Sequence, residues 1–401
     1  MKNLEFCGPM IRFYREQKGM DIGRICIQTG IQKPLYVELE KGKKEVLLST
    51  WKRICDAVGI DFVYLFKNED VYEELYKDSL HALLYDDMNE QQKLFVKLKE
   101  EELKQSILFP KFVLVRFIYE AMNKERPSDK LMGYLELFKD VYSLSEQCIY
   151  YDYYGFILQK AKQYDQAKKY YKKAEALATL EHKDMLYYHM GMLHYKLNEP
   201  LKALHYFRRA YGMFEKSWNI NRLLYTHGSI GICYIRMAEF VLAKNQLEET
   251  IRLAQQYKND YVISTTYDNL AFNSFKMRDY DTCIRYASKA IEKNTNYAYL
   301  YFYLSYSYLM LGKNDEASHW ILASKQIDMD KAAQGMMYYA QLLMEQKSCT
   351  HFLQKLYEYL VEEEFYELQK FILMDLADIF QKENKYENES KCLRELLRLS
   401  K

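Results

Sequence analysis

One spacing recurs along the middle of this chain: a small residue, an alanine or cysteine twelve positions on, an apolar residue four beyond that, and a small residue three further. Gly155 leads to Ala167, Tyr171 and Ala174, Gly191 to Ala203, Phe207 and Ala210, and Gly231 to Ala243, Leu247 and Thr250. Ala271 leads to Cys283, Ala287 and Ala290, and Ser305 to Ala317, Ile321 and Ser324. The starts lie 36, 40, 40 and 34 residues apart. A period of this length marks stacked supersecondary units, each too small to bury its apolar face alone.

The composition says what those units are made of. There are 14 Gly and 5 Pro in 401 residues, so few turns that need positive φ or a fixed φ are expected. The fold should be overwhelmingly helical. No G-x-G-x-x-G and no G-x-x-x-x-G-K-[ST] is present, which argues against classical nucleotide enzymes. The 8 Cys are dispersed with no C-x-x-C, a pattern that suits reduced, buried thiols in a cytoplasmic protein. The first residues lack an apolar signal core, and no apolar run is long enough to span a membrane, so no membrane partner is expected. The 8 His form no H-E-x-x-H, and the acidic runs at 86–87 and 362–364 look like solvated faces. No catalytic residue, metal or cofactor is expected, and the chain is not read as an enzyme.

Residues 1–66 have a different grammar. They hold 11 Lys/Arg against 8 Asp/Glu, whereas the whole chain is nearly neutral at +1. Short helices are expected over about 8–18, 22–28 and 32–40, punctuated by Gly19, Gly30 and Gly42. Asp21 is the expected N-cap of the second and Pro34 sits in the first turn of the third. Ser49 or Thr50 should cap a fourth helix ended by Gly59, and DFVYLF should close the module. Helix, glycine turn, helix at this spacing is a helix-turn-helix arrangement. Residues 67–110 lack Gly before the Pro at 110 and read as a helical connector, leaving 111–401 as the repeat domain.

The stretch from Gly19 to Phe66 resembles the lambda-repressor-type (XRE/Cro) DNA-binding domain. The matching points are Gly19, Ile25, Gly30, Ile31, Leu39, Glu40, Gly42, Ile54, Val58, Gly59 and Leu65-Phe66, while Ile22 stands where that family often has Gln. The resemblance implies a third helix lying in the major groove of double-stranded DNA. Gln32, Lys33, Leu35 and Glu38 would then face base edges, and Lys41, Lys43 and Lys44 would hold phosphate. The other reading of this module is a helix-turn-helix used for dimerisation or packing.

The repeat slots are similar to those of tetratricopeptide (TPR) hairpins, which implies six to eight hairpins in a right-handed superhelix. The hairpin's first helix should line the concave side. Five positions after the small slot stand Lys160, Lys196, Arg236 and Lys276, a basic ladder that suits an acidic or carboxyl-terminal group of an extended peptide. Two positions before it stand His189, Ser229, Asn269 and Tyr303. Ser229, Asn269 and Tyr303 are taken as peptide contacts, Asn269 foremost, because one amide can bond both a peptide C=O and an N–H. Solvated charges and locally bonded polar groups are the alternatives. On this reading Arg236→Ala with Lys276→Ala weakens peptide binding and leaves folding intact.

An XRE-type module followed by TPR hairpins resembles the RRNPP peptide-pheromone receptors of Gram-positive bacteria. That resemblance implies a cytoplasmic, homodimeric quorum-sensing transcription regulator, binding operator DNA at one end and a short signalling peptide in the TPR groove. The alternative within the same resemblance is a Rap-like TPR protein that inhibits or dephosphorylates a response regulator. A mobile-element regulator with no peptide ligand is a third reading.

Overall fold

The computed structural model describes residues 2–97, 99–178, 182–293 and 297–399. Among them the chain forms helices and no strand, the all-α class expected. It divides into two compact units, Met1–Leu193 with Gly212–Arg222, and His194–Tyr211 with Leu223–Lys401.

The first unit begins with α1 (Cys7–Gln17), α2 (Ile22–Thr29), α3 (Lys33–Glu40), α4 (Leu48–Val58) and α5 (Phe62–Leu65). Local chemistry sets their ends. The Asp21 carboxylate accepts from the Arg24 N–H, capping α2, and Gly30 turns the chain at φ 66°. Pro34 sits in the first turn of α3, and Asp61 accepts from the Val63 and Tyr64 N–H groups to cap α5. One expectation fails: α4 starts from Leu47 without a side-chain cap, and Ser49 and Thr50 lie inside the helix. The helix so formed buries Trp51, Ile54, Cys55 and Val58.

Packing does not break at residue 66 or residue 110. Phe13 of α1 meets Phe109, Tyr134 and Phe138 at ring-centroid distances of 5.2, 5.5 and 6.1 Å. The Ile107 N–H donates to the Leu65 carbonyl at 2.8 Å, and the Tyr14 hydroxyl to the Lys104 carbonyl at 2.7 Å. One buried core runs from Phe6 to Tyr153. The partition drawn from the sequence is one of sequence grammar, and packing joins its first two parts to the start of the third.

Hairpins follow. In the first unit Phe109–Asn123 pairs with Asp129–Phe138, and Leu144–Lys160 with Tyr164–Leu177. In the second, Asp260–Lys276 pairs with Tyr280–Glu292, Ala298–Met310 with Asn314–Ala323, Lys331–Met344 with Thr350–Glu362, and Tyr366–Lys382 with Tyr386–Leu399. The repeat slots are the helix contacts. A Cβ on Gly155 would lie 2.8 Å from the Tyr171 ring, and one on Gly231 would lie 2.6 Å from Leu247. Ala167, Ala203, Ala243, Cys283, Ala287 and Ala317 are fully buried.

The turns depart from expectation in an instructive way. Low glycine was read as few turns at positive φ, yet eleven non-glycine residues have positive φ among the described residues. Lys162, Asn198, Ala238, Lys258, Arg278, Gln346, Glu364 and Asn384 all sit just past a helix end. At the first of these the Gln163 N–H reaches the Leu158 carbonyl at 2.8 Å and the Lys162 N–H reaches Gln159 at 3.0 Å, a Schellman closure. Each left-handed residue costs about 1 kcal/mol, offset by satisfying carbonyls that would otherwise be orphaned.

Gly8 marks the tightest crossing. A Cβ there would lie 1.7 Å from the Leu39 carbonyl oxygen, backbone against backbone. Gly8→Ala should therefore force α1 off α3 and cost about 2 kcal/mol or more, lowering the thermal midpoint by roughly 4–8 °C. An unchanged midpoint by circular dichroism would refute this crossing.

Candidate nucleic-acid face and ligand cavity

The surface of α3 is fixed from behind. Arg15 of α1 grips Glu40 of α3 in a bidentate pair, Nε to Oε1 at 2.6 Å and Nη2 to Oε2 at 2.9 Å. The two side chains are 12% and 5% exposed, so the pair is shielded from solvent and salt. Tyr36, Leu39 and Glu40 point inward. Gln32, Lys33, Leu35, Lys41, Lys43 and Lys44 are exposed, and Glu38 is half-buried, 3.6 Å from Lys41. Positions 32, 35 and 38 are three apart and lie along one side of the helix. Of the seven residues read from the sequence, Gln32, Leu35 and Glu38 thus share one helix side, Lys33 starts the helix, and the three lysines stand at its end and in the turn after it. The Arg15–Glu40 pair was not foreseen; Glu40 had been noted only as a matching position.

The second unit holds a cavity of about 280 Å³. Its walls include Lys196, Arg236, Asp268, Asn269, Phe272, Tyr297, Tyr299 and Tyr303, and residues 364–368 close one side. Asn269 comes from Asp260–Lys276, the first helix of its hairpin, and Tyr303 from Ala298–Met310 of the next. That places Lys196, Arg236, Asn269 and Tyr303, four of the seven expected peptide contacts, around one space. Asn269 is half-buried, and among the described residues no side-chain partner holds its amide.

The other three are elsewhere. Lys160 belongs to the first unit, where its ammonium donates to the Ala121 carbonyl at 3.2 Å and to that of Lys124. The Ser229 hydroxyl donates to the Tyr225 carbonyl of its own helix at 2.9 Å. Lys276 is drawn to Glu367, 3.1 Å away.

Glu367 changes the electrostatics of the basic ladder. It receives Lys276 at 3.1 Å, Lys370 at 3.1 Å and Arg236 at 3.8 Å, with its own side chain 12% exposed. Burial works to raise its carboxyl, but Lys276, Lys370 and Arg236 outweigh that and hold it below the usual glutamate range. The Arg236 guanidinium also lies 3.8 Å over the Tyr195 ring and donates to the Tyr195 carbonyl at 2.6 Å. Two of the four rungs, Arg236 and Lys276, thus face an acid within the chain. Residue 367 falls outside the slot positions counted along the repeats, so no sequence signal marked it.

Asp268 is the opposite case. Its Oδ1 is closed off from solvent and has no hydrogen-bond partner among the described residues. Burial pushes its carboxyl up to about 7. It stands in the segment YDNLAF, beside the Asn269 that drew the sequence argument.

All eight cysteines are free thiols, seven of them buried. Among the described residues no cluster of three or more His, Cys, Asp or Glu is placed to hold a metal ion. No described helix is long and apolar enough to cross a membrane.

The fold and the slot contacts define an all-α protein of TPR-type hairpins. The tetratricopeptide repeat family model matches residues 145–216. A curated relative, the transcriptional activator NprA of Geobacillus stearothermophilus, is 23% identical over 297 residues, 69% of each chain. Among solved structures, a Rap protein complexed with competence and sporulation factor superposes with a TM-score of 0.63 at 17% identity, covering 83% of this chain and 98% of the other. NprR in complex with its cognate peptide NprX gives 0.59 at 19% identity, covering 82% and 98%. These structural likenesses show the shared fold. With the NprA relative, they bear out the resemblance to the RRNPP regulators.

The ion cluster changes what the double variant is expected to do. Arg236→Ala with Lys276→Ala would strand Glu367 with one of its three cations, so folding should not be left intact. The double variant should lose about 3 kcal/mol of stability, and adding Glu367→Gln should restore much of it. Urea unfolding decides this: equal midpoints for wild type and the double variant would remove the ion cluster from the account.

Proposed function

We propose that this protein is a cytoplasmic, homodimeric transcription regulator whose DNA affinity is set by a short peptide in the cavity of the second unit. Asn269 carries the reading. An unengaged amide in the wall of a tyrosine-lined cavity, on the first helix of a TPR hairpin, can bond a peptide backbone whatever its sequence. Lys196, Arg236 and Tyr303 line the same space, whereas Lys160 and Ser229 are bonded away from it. The relatives support the reading by name: NprA is a transcriptional activator, and NprR was solved with its cognate peptide.

At the other end, Gln32, Lys33, Leu35 and Glu38 would read base edges. Gln and Lys suit purine acceptors, Leu35 a thymine methyl, and Glu38 a cytosine amine. Lys41, Lys43 and Lys44 would hold phosphate. A two-fold dimer would read a pseudo-palindromic operator, with half-sites about one helical turn apart. The peptide acts only through its different affinities for two states of the dimer.

A gel shift on DNA from the gene's own upstream region tests this. Binding should weaken steeply with salt. Lys43→Ala with Lys44→Ala should lower the slope of log K against log salt by about 2 and weaken binding to all sequences alike. Gln32→Ala should instead relax the sequence preference. A folded protein that retards no DNA at low salt would sink the DNA reading and leave the protein-binding alternative.

A further inference from the structure

We infer that the first unit carries a ligand site of its own, a small cavity that takes a short-chain aliphatic carboxylate. The inference rests on nothing in the second unit and does not depend on the peptide reading.

The cavity lies where Phe109–Asn123 meets Asp129–Phe138, and its volume is about 70 Å³. Leu103, Phe112, Val113 and Leu131 are buried side chains of its wall, with the rings of Phe109 and Tyr134 beside them. An apolar cavity of about 150 Å³ accepts benzene. This smaller one has room for a short aliphatic chain, not for an aromatic ring or a peptide.

Its polar side suits an anion. Arg116, half exposed, donates through Nε to Glu120 Oε1 at 3.2 Å, and its two Nη atoms have no hydrogen-bond partner among the described residues. A guanidinium edge of that kind matches a carboxylate with two parallel bonds. Ser128, Lys130 and Leu131 also line the space. They are the N-cap and first turn of Asp129–Phe138, a helix that no side chain caps. Its first N–H groups are donors left over from the helix ladder, and the helix dipole favours negative charge there.

The acids at the rim are already answered. Glu120 receives Arg116, Lys124 at 3.0 Å and the Ser128 N–H at 2.9 Å, and Glu100 receives Lys130 at 2.6 Å and Lys104 at 3.1 Å. Burial works to raise both carboxyls, but these partners hold them below the usual glutamate range. Lys104 also meets Glu101 at 2.5 Å, and Asp129 is matched by Arg126. Four cations, Arg116, Lys104, Lys124 and Lys130, thus face three carboxylates, Glu100, Glu101 and Glu120. The charge left over is positive, and Arg116 presents it to the cavity.

The site bears on α1. Phe109 and Tyr134 are rings against which Phe13 packs, at 5.2 and 5.5 Å, so an occupant presses on the cluster that seats the N-terminal helices.

The test is ligand-observed saturation-transfer NMR on the full-length chain, with isovalerate as the probe. Isovalerate should bind saturably. Isovaleramide has the body without the charge and acetate the charge without the body; each should bind at least about tenfold more weakly. Arg116→Gln should weaken isovalerate by about the same factor. Glu120 keeps Lys124 and the Ser128 N–H in that variant, so its thermal midpoint should hold. Should it nevertheless unfold, Ser128→Ala takes its place, removing a hydroxyl that caps nothing, with a loss of about threefold expected. Absence of saturable binding overturns the inference. So does binding of the amide or of acetate equal to that of isovalerate, and so does an affinity unchanged in the folded variant.

Discussion

Where the small slot is glycine, its close contact with a bulky residue sixteen positions later sets how near the two helices of the hairpin lie. Gly155 lets the Tyr171 ring come within a distance no side chain would permit, and Gly231 does the same for Leu247. Axes brought this near bury the alanines at the crossing completely. The first helix of each hairpin is thereby held at a constant rotation. Positions two before and five after the small slot must then face the same way in repeat after repeat, which is why counting along the sequence can find cavity residues at all.

Counting works while the local environment repeats, and fails where a long side chain finds a non-periodic partner. Asn269 and Tyr303 were legible because their placement follows from backbone rotation alone. Lys160 has the right slot, but its flexible stem lets the ammonium reach the carbonyls ending Phe109–Asn123. Glu367 was illegible because two of its three cations, Arg236 and Lys276, come from distant places on the chain. The helices of residues 7–65 were largely readable, since Asp21, Gly30, Pro34 and Gly59 act on their own neighbours. Arg15–Glu40 joins helices 25 residues apart and carries no local signature.

Buried carboxylates show how the two units manage polar groups in an apolar interior. Asp375 accepts from the Tyr306 and Tyr339 hydroxyls at 2.9 and 2.8 Å, so donors without charge suffice there. Asp152 takes a histidine. Glu367 takes three full charges and remains ionised. Asp268 takes nothing from the described residues. The other three make packed structure more specific, because each fixes the rotation of neighbouring helices.

The N-terminal helices bear on how a DNA face could be controlled. A tethered head would meet the next segment through few contacts, whereas α1 sends Phe13 into a cluster with Phe109, Tyr134 and Phe138. Gly42, at φ 67°, sits where a Cβ would lie 2.4 Å from Val141, so even the turn after α3 is packed onto residues outside the module. Aromatic clusters of this kind are close-packed and do not deform continuously. The exposed side of α3 therefore moves as one body with at least residues 100–142. On the proposed reading, control over DNA binding would act by moving that whole body or changing how two copies associate, because releasing α3 alone would require opening the core that Phe13 fills.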